Sequence, residues 1–254
     1  SKVFYLIAAS KFMVLGGSPL TASREIEILD SENQGRSCSV SVKFPVEVKY
    51  ASGGGFKDTG IVQCRGDSNG RATEKCYYLA QDGTFHEATF SLQTKRYDAS
   101  SVALPNGTFV VIGGVDYNYN SLKTIEIIDT VNGDVSVPQQ TLPEPIRGHC
   151  SILVNESVIL IIGGKRSGSY SRKTVFFDLQ TLKSTPGPEM RIARAYFGCA
   201  TMTSKVIVAG GWLSSSTLTE TSEILALESN NPSWQLGKLN IIEHLLNPAS
   251  TFYF

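Results

Sequence analysis

Short apolar runs, each closed by a pair of glycines, punctuate this chain at a nearly constant interval. Phe12-Met13-Val14-Leu15 leads into Gly16-Gly17, residues 108–112 into Gly113-Gly114, residues 158–162 into Gly163-Gly164, and residues 205–209 into Gly210-Gly211. Ile61-Val62-Gln63-Cys64 leads into a degenerate copy, Arg65-Gly66. The second residues of these pairs stand at 17, 66, 114, 164 and 211, so the steps are 49, 48, 50 and 47 residues. Spacing this regular marks a repeat architecture, so each residue must be read by its place in the repeat.

The third repeat shows the elements. Residues 100–104 are small and extended. Pro105-Asn106-Gly107 is a tight-turn signal, because Asn-Gly accepts positive φ. Residues 108–112 are β-branched and aromatic and predict a buried strand. A polar loop follows the glycines, then a third strand over 124–129. Val131-Asn132-Gly133-Asp134 turns the chain into a weaker fourth strand near 135–137, and Leu142-Pro143-Glu144-Pro145 leads onward. The other repeats match, with third strands at 25–30, 75–79, 174–179 and 222–227. Their innermost strands, 51–56, 149–154 and 198–202, are rich in small residues, which suits strands crowded around a common axis. A four-stranded antiparallel sheet repeated in tandem reads as the blade of an all-β propeller.

In each repeat a Gly-Gly pair precedes a large apolar residue 11 to 14 positions on, filled by Ile28, Tyr78, Ile127, Phe177 and Leu225. Trp234 follows in the outer strand of the last repeat, with Phe85 a partial substitute in the second. This order resembles the kelch repeat over essentially the whole chain. The resemblance implies a single kelch-type β-propeller domain over 1–254, with blades at about 1–46, 47–93, 94–142, 143–189 and 190–240. Residues 249–254 resemble one extra inner strand. Either 241–254 starts a sixth blade, or five blades close with that strand as an added seam. Residues 1–9 fill the place of the first strand and are not read as a signal-peptide core.

Composition narrows the function classes. Of 254 residues, 41% are hydrophobic, and Lys+Arg and Asp+Glu are both 23, which disfavours a nucleic-acid binder. No apolar run reaches the roughly 20 residues that span a bilayer, so no membrane insertion is expected. Five cysteines stand at 38, 64, 76, 150 and 199. Cys64 and Cys76 flank a polar loop between two strand-like runs, where their sulfurs could meet. Cys150 and Cys199 occupy nearly equivalent points of successive repeats. Pairing would suit a secreted or extracellular protein, whereas five buried thiols would suit a cytoplasmic one. No Cys/His spacing suggests a metal, and no cofactor motif is present. Two N-glycosylation sequons, Asn106-Gly-Thr and Asn155-Glu-Ser, precede Gly-Gly strands.

The kelch resemblance implies a ligand held by two loop sets. One follows the Gly-Gly strand and includes Ser18, Asp67, Asp116, Lys165, Arg166 and Trp212. The other precedes the innermost strand and includes Arg96, Tyr97, Arg147, His149, Arg194 and Tyr196. Arg96, Arg147 and Arg194 lie 17, 16 and 16 residues before the first Gly of their repeats. On one rim they would favour a carboxylate ligand; alternatively, each bonds loop carbonyls as part of the repeat. Trp212 is a hot-spot candidate or a cap. Arg65-Gly66-Asp67 resembles an integrin-binding tripeptide, set at the degenerate Gly-Gly position. No HExxH, GxSxG or phosphate loop appears among the motifs, and the three histidines are scattered. The expectation is therefore a non-catalytic module that binds a protein or acidic peptide. The alternative is a sialic-acid mutarotase-like enzyme or lectin that binds a sugar acid through an arginine-lined mouth.

Overall fold

The computed structural model describes residues 2–6, 11–15, 26–30, 37–39, 43–47, 50–56, 60–64, 67–68, 71–80, 84–202 and 204–237. They fall into two compact units, Ser1–Gln139 and Gln140–Phe254. Among the described residues the regular structure is all β, and every strand pairing is antiparallel. The extra strand expected at 249–254 lies outside the described residues, as do Gly16-Gly17, Ser18 and Arg65-Gly66.

The first unit holds three sheets. The first pairs β1 (Lys2–Leu6), β2 (Lys11–Leu15), β3 (Ile26–Asp30) and β4 (Ser37–Ser39) in that order. The second contains β5 (Ser52–Phe56), β6 (Gly60–Cys64), β7 (Asp67–Ser68), β8 (Arg71–Leu79) and β9 (Phe85–Arg96). Here β8 pairs with β6 at Cys64–Cys76, with β7 at Asp67–Ala72, and with β9. The third pairs β10 (Ser100–Ala103), β11 (Thr108–Ile112), β12 (Ile125–Asp129) and β13 (Val135–Ser136).

The second unit contains β14 (Ile146–Arg147), β15 (Cys150–Leu153), β16 (Val158–Ile162), β17 (Lys165–Arg166), β18 (Ser169–Tyr170), β19 (Thr174–Asp178) and β20 (Lys183–Pro186). The fourth sheet runs β15-β16-β19-β20, with a small sheet β14-β17-β18 at its Gly-Gly end. The fifth sheet runs β21 (Gly198–Met202), β22 (Lys205–Ala209), β23 (Ser222–Ala226) and β24 (Trp234–Leu236).

The second strands at 108–112, 158–162 and 205–209 begin and end where the apolar pattern predicts. Two expectations shift. β9 is twelve residues long and runs through the blade boundary placed at 93–94. The repeat pattern places its large apolar residue at Ile127 and Tyr78, but the register held by the buried Phe177 and Leu225 is filled by the buried Ile128 and the half-buried Leu79. Ile128 pairs with Phe109 and Leu79 with Ile61, whereas Tyr78 is exposed. A one-residue slip reverses the face of a strand.

Small residues let the inner strands of the second and third sheets lie close together. A Cβ built at Gly54 would stand 2.7 Å from the Ala103 Cβ, so nothing larger than glycine fits. Ser52 Oγ donates to Ala99 O (2.9 Å), and Ser101 Oγ donates to Gly53 O (2.9 Å). Between these sheets Val62, Cys64, Cys76, Phe90 and Leu92 pack on Phe109, Val111 and Ile128. In the second unit Leu160, Ile162 and Met190 pack on Val206, Val208, Leu225 and Trp234, whose indole N–H donates to Pro188 O (2.9 Å). Both expected cysteine pairs are disulfides. Cys64–Cys76 joins neighbours across β6 and β8, and Cys150–Cys199 joins β15 to β21.

Two buried ion pairs recur at one place in the repeat. Arg96 Nη1 donates to the carbonyls of Gly113 (2.9 Å) and Thr124 (3.2 Å), and Nη2 to Thr124 Oγ1 and Glu126. Glu126 accepts from the amides of Gln93 (2.6 Å) and Thr94 (3.0 Å). Arg194 repeats the pattern with Gly210 O (2.8 Å), Thr221 O (2.9 Å) and Glu223 (3.0 Å). Glu223 in turn accepts from the amides of Arg191 and Ile192. Burial pulls both guanidinium pKa values below the ordinary arginine value, and the carboxylate partly offsets it.

The fourth sheet carries neither member of the pair. Ile146 stands four residues before its inner strand, as Arg96 and Arg194 do before theirs. Val175 opposes Ile161, as Glu126 opposes Val111 and Glu223 opposes Val208. Ile146 and Val175 are both buried. Removing one member of a buried pair strands a charge, whereas an apolar couple of similar volume costs little. Glu223→Val alone should therefore lose about 3–5 kcal/mol. Arg194→Ile with Glu223→Val, the couple the fourth sheet uses, should lose no more than that single change when both are compared by urea unfolding.

Candidate functional site

At the end of each described second strand with a Gly-Gly pair, the chain passes through two successive positive-φ glycines. The angles are 58° and 97° at Gly113-Gly114, 59° and 84° at Gly163-Gly164, and 69° and 95° at Gly210-Gly211. The second glycine is also pressed against the segment that enters the inner strand. A Cβ at Gly114 would lie 2.6 Å from Tyr97 O; at Gly164, 2.8 Å from Arg147 O; at Gly211, 2.8 Å from Ala195 O.

The residue after the glycines then pairs with that same entering segment. Val115 bridges Tyr97 and Ser121, and Trp212 bridges Ala195 and Leu218. In the fourth sheet the bridges lengthen into β14-β17-β18, where Lys165 opposes both Arg147 and Tyr170. The two loop sets singled out in the sequence are thus hydrogen-bonded to each other within these three repeats.

A second feature recurs beside them. Tyr50, Asp98, Gly148 and Tyr196 hold equivalent places just before the inner strands, with φ of 55°, 54°, 57° and 56°. Asp98 N donates to Tyr50 O (3.2 Å), and Tyr196 N to Gly148 O (2.7 Å). Left-handed φ costs a side-chain-bearing residue about 1–2 kcal/mol. Here the neighbouring hydrogen bonds hold the strained backbone in place.

In the second unit these devices bring Arg147, Lys165, Tyr196 and Trp212 into one connected stretch of backbone. Arg147 pairs with Lys165, and Ala195 with Trp212. The Tyr196 ring lies over Gly148, where a built Cβ would meet it at 2.7 Å. Tyr196 is exposed, and the other three are half-buried. The Lys165 ammonium stands 4.8 Å from the centre of the Tyr170 ring.

The other sequence candidates have different settings, and for Arg96 and Arg194 the loop-carbonyl alternative holds. Arg96 and Arg194 are 1% and 0% exposed and are held by loop carbonyls and glutamates, so they do not line a rim. The 16- or 17-residue count had grouped Arg147 with them, but the equivalent place in the fourth sheet is Ile146. His149 is buried against Gly164. Arg166 is also buried; burial lowers its pKa, and the charge of Glu144 partly offsets this. The Asp116 carboxylate accepts from Asn118 N, Asn120 N and Asn120 Nδ2, so it braces its own loop. Tyr97 is half-buried, its ring 6.3 Å from that of Tyr50. Asp67 lies in β7, whose backbone pairs with β8.

Sequence reasoning missed Tyr117, Tyr119 and Leu218, the most exposed large apolar residues of the loops after Gly113-Gly114 and Gly210-Gly211. The alternating Tyr117-Asn118-Tyr119-Asn120 was the available signal. Among the described residues, no group of three or more His, Cys, Asp or Glu is placed to hold a metal ion. Comparison with protein-family models and with curated proteins finds no match.

The glycines provide a test of this arrangement. Gly168, at the tip of the β17–β18 hairpin, has φ of 84° but nothing within 4 Å of a built Cβ. Gly168→Ala should cost about 1 kcal/mol, from backbone strain alone. Gly164→Ala has the same φ and must also push Arg147 O and His149 apart. It should lose clearly more stability in thermal unfolding and shift the amide NMR signals of Arg147 and Lys165.

Proposed function

We propose that the chain is a kelch-type β-propeller that works outside the cell as a non-catalytic binding module for an acidic segment of a partner protein. The carrying observation is the backbone-pinned set of Arg147, Lys165, Tyr196 and Trp212. A fixed backbone lowers the ordering cost of binding. A guanidinium and an ammonium beside aromatic side chains suit carboxylates on a peptide with apolar neighbours. The tandem four-stranded sheets, the Gly-Gly turns and the outer-strand Trp234 support the propeller reading. The carbohydrate-active alternative drew on three arginines sharing one mouth. With Arg96 and Arg194 committed to buried pairs, Arg147 is what remains of that set.

The extracellular reading is supported by two disulfides, which form and persist in oxidising compartments. Among the described residues no helix is long and apolar enough to cross a membrane.

Two measurements check these readings. A fluorescent Glu-rich decapeptide should bind the purified chain and weaken as salt rises. Arg147→Glu with Lys165→Glu should reduce that binding at least tenfold. A Gln-rich counterpart that binds equally well would overturn the acidic-ligand reading. Peptide mapping after alkylation without reductant should find Cys64 linked to Cys76 and Cys150 linked to Cys199. Alkylation of all four would overturn the extracellular reading.

A further inference from the structure

We infer that Asn106 and Asn155 carry N-linked glycans, set at the ends of β11 and β16 away from the Gly-Gly loops. Eleven asparagines occur in the chain, and two stand in an Asn-x-Ser/Thr triplet whose middle residue is not proline. Asn231-Pro-Ser is excluded by its proline. The two that qualify fall at adjacent places of one hairpin tip, between the inner and second strands of successive repeats: Asn106 is two residues after Leu104, and Asn155 one after Val154. Leu104 N donates to Thr108 O (2.8 Å) to close the first hairpin, and Val154 N to Val158 O (2.9 Å) to close the second.

Both asparagines are exposed. Asn106 Oδ1 accepts from Thr108 N (3.1 Å), and Asn155 Oδ1 accepts from Ser157 N (3.0 Å) and Val158 N (2.8 Å). Each carboxamide is therefore oriented by its oxygen, which leaves the Nδ2 amide available for modification. The hydroxyl residue that completes the triplet is the one whose amide makes this contact, so the triplet is folded into a compact turn.

The chemistry is transfer from a polyprenyl-pyrophosphate-linked oligosaccharide. A bond forms between Asn Nδ2 and the anomeric carbon, while the bond from that carbon to the pyrophosphate oxygen breaks. The amide gives up one proton, and polyprenyl pyrophosphate leaves. The inference rests on the extracellular reading drawn from the disulfides and is independent of the acidic-ligand reading. Each second strand is five residues, about 16 Å, long. A glycan at its start therefore leaves the Lys165 loop at the other end of β16 uncovered.

The test is secretion of the chain from a eukaryotic cell, followed by intact mass before and after enzymatic removal of N-glycans. Two glycans are expected, and enzymatic release should convert Asn106 and Asn155 to Asp. Asn106→Gln and Asn155→Gln should each remove one glycan. Thr108→Val and Ser157→Ala should do the same while keeping each asparagine and its turn. Glu-rich peptide binding should be unchanged after deglycosylation. A secreted chain with both disulfides formed but neither asparagine modified would overturn the inference and leave the extracellular reading standing. Modification of one site alone would overturn it for the other. A chain with neither glycans nor disulfides would overturn both.

Discussion

Contact between two stretches of backbone, closer than any side chain allows, organises the candidate site. Where β11, β16 and β22 end, the second glycine of each pair sits against the carbonyl of Tyr97, Arg147 or Ala195. Positive φ at both glycines turns the chain so that its next residue hydrogen-bonds that same segment. The strand end, the loop after it and the entry to the inner strand become one rigid piece. Side chains on that piece can vary without disturbing it: Val115, Lys165 and Trp212 occupy one place with three different chemistries. The scaffold is conserved in geometry from repeat to repeat, while its presented surface is not.

The buried Arg–Glu pairs serve the same piece from below. Arg96 and Arg194 satisfy the carbonyls of Gly113 and Gly210, and Glu126 and Glu223 gather amides from the preceding chain. The cation most suggestive of a ligand site is thus spent on the loop's own backbone. The half-buried Arg147 sits one place further along, where the backbone bridge already meets the structural need.

Much of the architecture was legible from the chain because β-branched runs and glycine pairs are local signals. The second strands of the third, fourth and fifth sheets needed no knowledge of neighbours. Arg147 was misaligned for a physical reason: the hairpin between β21 and β22 is one residue shorter than its counterparts, which blurs any count measured back from the glycines. The face of β12 was hidden by Glu126. A charged residue reads as solvent-facing, yet Glu126 is as buried as Ile125 and Ile128 on either side of Ile127. The ion pair with Arg96 is what lets that glutamate be buried. The strained Tyr50, Asp98 and Tyr196 carry no sequence signal, since only one equivalent place, Gly148, holds the residue such a conformation favours.

The bridge between β15 and β21 gives the second unit a mechanical property. Cys150 and Cys199 are 49 residues apart, and the covalent link closes that entire segment into a loop. Tension applied to the two ends of the chain passes through the sulfurs and bypasses β16 to β20. About 17 nm of contour length is withheld from extension until the bond is reduced. The fourth sheet, which lacks the buried Arg–Glu pair of its neighbours, is therefore shielded from force by a covalent bond.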